Sequence, residues 1–158
     1  MKRNLLTFIG VTDIKTHERK EYNGAIEQIL HKYNFENVYV FITAGLENNV
    51  NDLNMLERYK EISNSNVVGI YTKIEDPTNP RVVYNKMKEY IEEINTSTKN
   101  IEGELYVNMV SSTPQIISIL SLLVGSKTLY NSIGIYPSNP LYSDEIKFDN
   151  LDFYGEVF

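Results

Sequence analysis

Residues Leu105–Gly125, LYVNMVSSTPQIISILSLLVG, pass from a β-branched and aromatic run through a hydroxyl-rich turn into an almost wholly apolar helix. Tyr106, Val107 and Val110 favour a strand. The turn is Ser111-Ser112-Thr113-Pro114-Gln115. A strand that stops in hydroxyls at a helix N-terminus is an anion site in outline, because unsatisfied N–H groups and the positive dipole end point the same way. Such a site holds phosphate or carboxylate without a basic side chain, which suits a chain of net charge −6. Ser112 and Gln115 are spaced as a capping box, and Pro114 falls in the first turn, where its missing N–H costs nothing. On that reading Ser111 and the Thr113 hydroxyl stay free to meet a ligand.

Outward from this stretch, strands and helices alternate. Asn4–Val11 reads as a first strand, and Tyr22, Ala25, Ile26, Ile29, Leu30 and Tyr33 make one apolar stripe on a first helix. Asn37–Thr43 is a second strand, closed by Ala44-Gly45. A shorter helix over residues 51–63 shows Leu53, Leu56, Tyr59 and Ile62 on one face. Asn66–Lys73 is a third strand. Asp76-Pro77-Thr78-Asn79-Pro80 ends as a helix start, with Asn79 as N-cap and Pro80 at the first helical position. Val83, Met87, Tyr90, Ile91 and Ile94 stripe the helix that follows. Glu104–Val110, Thr113–Val124 and Tyr130–Tyr136 supply strand, helix and strand. Near-continuous apolar strands joined by helices imply an α/β Rossmann-like, doubly wound parallel sheet, expected in the order 3-2-1-4-5.

The regular core spans about residues 4–140 of a single expected domain, with residues 141–158 as a short C-terminal extension in which 145–158 have room for one more strand. Thr12 to about Tyr22, polar and mixed in charge, is expected as a long loop at the carboxyl end of the first strand. In the order 3-2-1-4-5 the first and fourth strands adjoin at the topological switch point, where ligands bind. The two unusual exits would then share one crevice: Gly10, Val11, Thr12 and Asp13 on one side, Ser111, Ser112, Thr113, Pro114 and Gln115 on the other.

Composition narrows the functional classes. The chain has no cysteine, so a disulfide scaffold, a thiolate metal site and a cysteine nucleophile are excluded. This fits a reducing cytosol, and a cytoplasmic place is expected. Leu5–Val11 is short for a signal-peptide core and reads as a buried strand; no apolar run approaches the roughly 20 residues of a membrane span. The acidic balance disfavours binding of long nucleic acid. Neither a G-x-G-x-x-G nor a P-loop pattern is present. The two histidines, His17 in the long loop and His31 in the first helix, are both expected at the surface. No metal site, cofactor or catalytic base is visible. The helix Thr113–Val124 is apolar around most of its circumference, so its outer face needs a cover, either the C-terminal segment or the same helix of a second subunit, of which the second is expected.

These residues resemble the CARF family, the CRISPR-associated Rossmann-fold sensor domains. The likeness rests on Ile9-Gly10-Val11-Thr12-Asp13 at the first strand exit, on Asp76-Pro77-Thr78, and on Asn108-Met109-Val110-Ser111-Ser112-Thr113-Pro114-Gln115, which is similar to the family's fourth-strand signature. It covers about residues 4–140. Ser112 stands where many members carry glycine. The resemblance implies a homodimer formed through the helix after Thr-Pro-Gln, with a cyclic oligoadenylate bound across the two-fold axis by the loops after strands one and four. Most members join the sensor to an effector; no effector is expected within these 158 residues, so an excised sensor domain, a free-standing sensor or a small ring nuclease is expected. The expected function is therefore a homodimeric sensor of cyclic oligoadenylate in type III CRISPR antiviral defence. Two alternatives are a stand-alone, metal-independent ring nuclease and a Rossmann-like interaction module without a nucleotide ligand.

Overall fold

The computed structural model describes residues 2–19, 24–138 and 147–150. Among them, β1 (Arg3–Phe8), β2 (Asn37–Ile42), β3 (Asn66–Tyr71), β4 (Glu104–Asn108), β5 (Ser132–Ser138) and β6 (Lys147–Asn150) form one sheet. Its order is β3-β2-β1-β4-β5-β6. The first five strands are parallel and in the expected order 3-2-1-4-5; β6 adds antiparallel to β5 at the edge. That edge strand lies within the stretch expected to hold one; the rest of residues 141–158 falls outside the described residues.

Helices cover both faces, and the strand sequences show why. Successive residues of a strand point to opposite faces, so Leu5 enters one core and Leu6 the other, each fully buried. Helices α5 (Pro80–Asn100) and α6 (Pro114–Gly125) pack Val83, Met87, Ile94, Ile116 and Leu120 against Leu6, Phe8 and Phe41. On the other face, α1 (Val11–Arg19), α2 (Ala25–Lys32), α3 (Glu47–Asp52) and α4 (Met55–Ser63) set Ile14, Ile26, Ile29, Met55 and Tyr59 over Leu5, Val38 and Val40. Each such side chain contributes about 1.5–3 kcal/mol by leaving water. Asn79 caps α5 as expected, its Oδ1 accepting from the N–H groups of Arg81 (3.1 Å) and Val82 (3.4 Å).

Several expectations need correction. As far as Arg19 the expected long polar loop after the first strand is instead helix α1, residues 20–22 of that loop lying outside the described residues, and the strand stops at Phe8 rather than Val11. Gly10 begins the helix, Asp13 reaches back to the Gly10 N–H (2.9 Å), and the Thr16 hydroxyl donates to the Thr12 carbonyl (2.9 Å). Only Val11 and Ile14 carry apolar periodicity there, too little to declare a helix. The single helix over 51–63 is two, α3 and α4, because Asn54 turns left-handed at φ 50°. Strands three and four stop at Tyr71 and Asn108, earlier than expected, and the fifth is Ser132–Ser138. The cap of α6 is Thr113, not Ser112: the Ile116 N–H donates to its Oγ1 at 3.2 Å, which removes the Ser112–Gln115 capping box.

Candidate ligand site

The carboxyl ends of β1 and β4 lie side by side, with Arg3–Leu6 in register against Glu104–Val107. The two chains then press together. A Cβ built on Gly10 would stand 2.7 Å from the Ser111 carbonyl oxygen and 2.9 Å from its carbon, both immobile backbone. Only glycine lets the β1 exit pass this close to the β4 exit.

A buried polar chain ties the exits together. The Thr7 hydroxyl donates to the Phe8 carbonyl (2.9 Å) and accepts from Asn108 Nδ2 (3.0 Å). The same amide donates to the Ser111 hydroxyl (2.7 Å), while Asn108 Oδ1 accepts from the Val110 N–H (3.0 Å). Ser111 in turn hydrogen-bonds the Asp13 carboxylate. Asp13 closes the chain: Oδ2 accepts from the Gly10 N–H (2.9 Å) and Oδ1 from the Ile26 N–H (3.3 Å). One carboxylate thus caps the starts of α1 and α2 together. Burial raises its pKa from 3.8 to about 6, against the lowering by the Gly10, Ile26 and Ser111 hydrogen bonds, with a smaller upward push from Glu27.

Above this floor opens a cavity of about 530 Å³. Gly10, Val11, Thr12, Asp13, Ser111, Ser112 and Thr113 line it, so seven of the nine residues singled out by sequence come together. Pro114 and Gln115 start α6 behind the lining, and Gln115 Oε1 is buried there without a partner among the described residues. The N-termini of α1 and α6 both open at this mouth. Val11 and Thr12 are exposed, and the Thr12 side chain is not used elsewhere in the described structure.

Two hydroxyls expected to be free are engaged. Thr113 donates to the Pro77 carbonyl (2.7 Å) while capping Ile116, and buried Ser111 lies between Asn108 and Asp13. His17 is neither in a loop nor fully in solvent; half-buried on α1, it contacts the Leu53 carbonyl through Nε2 (3.2 Å) and Glu27 through Nδ1 (3.7 Å). His31 is exposed, as expected.

Sequence reasoning missed part of the wall. Thr43, Gly45 and Leu46 at the β2 exit line the cavity, as do Glu75 and Pro77 in the connection after β3. Ala44-Gly45 closing a strand next to β1 was the available signal. The lining is mostly apolar, and among the described residues its only charged members are Asp13 and Glu75. Among the described residues no cluster of histidine, aspartate or glutamate is suited to hold a metal, and no helix is long and apolar enough to cross a membrane.

No protein-family model matches the sequence, and no curated protein matches it either. Solved structures do. Csm6 of Enterococcus italicus, bound to cyclic hexa-2'-fluoro-hexa-dAMP, matches with a TM-score of 0.74 and 23% identity, over 90% of this chain and 34% of that one. Can2 of Sulfobacillus thermosulfidooxidans, in complex with cyclic tetra-adenylate, gives 0.54 and 10%, over 92% and 36%. Protein VC1899 of Vibrio cholerae gives 0.56 and 11%, over 93% and 35%. The chain therefore spans about a third of the length of each structure. At these identities the likeness establishes the fold, which is CARF-like, in agreement with the resemblance in the sequence.

Proposed function

We propose that the chain is a cytoplasmic, homodimeric sensor domain for a cyclic oligoadenylate, acting in type III CRISPR defence. The observation that carries this reading is the convergence of the β1 and β4 exits, each opening a helix N-terminus, on one cavity. Two structures of the same fold hold cyclic oligonucleotides of six and four units. A cavity of about 530 Å³ takes one drug-sized molecule, the scale of a nucleotide unit and not of a ring. A ring therefore needs more than one chain, which favours two copies related by a two-fold axis.

The phosphates would meet the N–H groups at the start of α1 and α6, with Thr12 and Ser112 supplying side-chain hydroxyls. Gly10, Val11 and Pro114 shape the backbone, and Asp13, Ser111 and Thr113 hold it in place. The partner copy would cover α6, where Leu122 is 55% exposed and Ile117 and Ile119 are half-buried.

Calorimetric titration with cyclic tri-, tetra- and hexa-adenylate tests the reading. We expect one ring bound per two chains and a sedimentation coefficient of a dimer. Absence of heat with every ring, or a monomer indifferent to ligand, removes it. Chromatography of each ring after incubation with excess protein in EDTA separates binding from cleavage. Intact ring is expected, since no lysine or arginine among the described residues lines the cavity to stabilise a developing charge.

A further inference from the structure

The cavity has an electrostatic problem that the sensor reading does not solve. Among the described residues its only charged lining groups are the carboxylates of Asp13 and Glu75, yet the proposed ligand carries a negative charge on every phosphate. Glu75 is exposed and can turn into water. Asp13 cannot: it is 4% exposed, and both oxygens are fixed by backbone N–H groups at the starts of two helices. Nor is a cation in contact with it among the described residues. The charges facing it are unhelpful. Glu27 of α2 adds a second negative charge, and Tyr59 of α4 is a buried phenol. Arg58 of α4 and His17 of α1 turn to Glu27 rather than to Asp13.

Resting on the sensor reading, we propose that occupancy of this cavity is coupled to proton uptake at Asp13, so that an anionic ring binds the protonated carboxyl in preference to the carboxylate. A protonated carboxyl keeps an acceptor for a backbone N–H and gains a donor for the Ser111 hydroxyl, so the clamp between the two exits survives the change. What disappears is a buried negative charge directly under the phosphates. The group is already near its titration point, since burial holds it at about 6. A phosphate overhead raises that value further, because a like charge nearby disfavours the ionised form. By linkage, a site that gains a proton on binding loses affinity as pH rises, by up to about tenfold per pH unit for each chain that contributes.

The test is the affinity for cyclic tetra- and hexa-adenylate from about pH 5.5 to about pH 8, in the wild-type chain and two variants. Wild type is expected to bind more weakly as pH rises, and Asp13→Asn to show a flat profile. His17→Gln, which removes the imidazole beside Glu27, should keep the wild-type slope. Should Asp13→Asn not fold, calorimetry on the wild type in two buffers of different ionisation enthalpy at about pH 7 counts the protons directly. Net uptake supports the coupling, and none overturns it. A flat wild-type profile, or a slope lost in His17→Gln and kept in Asp13→Asn, overturns the coupling and leaves the sensor reading standing. Failure to bind these rings and cyclic tri-adenylate at any pH removes both.

Discussion

The two ends of the sheet solve the same problem in opposite ways. At the amino end, Asn4, Asn37 and Asn66 stand in register across β1, β2 and β3. Asn66 Nδ2 donates to Asn37 Oδ1 (2.9 Å), Asn37 Nδ2 to Asn4 Oδ1 (3.0 Å), and Asn4 Nδ2 to Ser97 Oγ (3.1 Å) on α5. Neutral donors meet neutral acceptors, and the ladder uses itself up. At the carboxyl end the acceptors are gathered into one carboxylate, Asp13, while N–H groups at two helix starts open onto a cavity. A satisfied network fixes register; an unbalanced one leaves something for a ligand to complete.

The comparison breaks most sharply on charge. Asp13 holds its proton more tightly folded than unfolded, at about 6 against 3.8. Between those values the native state binds more protons, so stability falls as pH rises from about 4 to about 6 and is flat above. The full fall is of the order of 3 kcal/mol at about 1.4 kcal/mol per pKa unit. Denaturant unfolding of wild type and Asp13→Asn across this range should show the difference between them narrowing in that window. A constant difference would mean that Asp13 titrates normally.

Next comes crowding. Gly10→Ala places a methyl 2.7 Å from the Ser111 carbonyl oxygen, where no side chain can swing aside. Overpacking of this kind costs about 2–3 kcal/mol. The exits must part, so affinity for a ring should fall with the melting temperature. Unchanged affinity in a less stable variant would detach the close approach from the site.

Much of this was legible beforehand because it depends on local pattern. Strands such as NVYVFI and the α6 run declare themselves by continuous apolar character, and the strand order follows from short parallel crossovers. Helix α1 stayed hidden because its start signal is unconventional: a glycine cap answered by an aspartate three residues on, with charges where a stripe would be. The break at Asn54 hid behind an apolar stripe, Leu53, Leu56, Tyr59 and Ile62, that runs across it without interruption. The site was half legible for a related reason. Strand exits can be ranked from topology, but whether Thr43, Leu46, Glu75 and Pro77 reach the same cavity depends on how far neighbouring loops extend. Engagement of a hydroxyl by a carbonyl 36 residues away, as for Thr113 and Pro77, leaves no mark in sequence.

The amino end offers the matching control. Asn4 is fully buried, and its Oδ1 also accepts from the Asn37 backbone N–H (3.1 Å). Asn4→Ala leaves that N–H and the Ser97 and Thr98 hydroxyls short of partners, at a cost of about 2 kcal/mol. Thermal unfolding should record the loss, with ring affinity unaltered in calorimetry. A parallel loss of affinity would show that the two ends are not independent.

Thr113→Val is the smallest and most discriminating change. The side chain keeps its branched shape and loses a hydroxyl that sits in the cavity wall, where a free group would donate to a phosphate. A hydrogen bond to a charged group is worth about 1.5–3 kcal/mol, or roughly ten- to a hundredfold in affinity. The geometry argues against that outcome. The Thr113 hydroxyl already donates to the Pro77 carbonyl at 2.7 Å and accepts from the Ile116 N–H at 3.2 Å. Its single proton cannot serve a ligand without releasing Pro77. Loss of a cap costs about 1 kcal/mol, so the variant should melt a few degrees lower and bind a ring within about threefold of wild type. An unchanged melting temperature with a tenfold weaker ring would reverse the assignment, placing the hydroxyl on the ligand and the Pro77 contact in the unoccupied state alone.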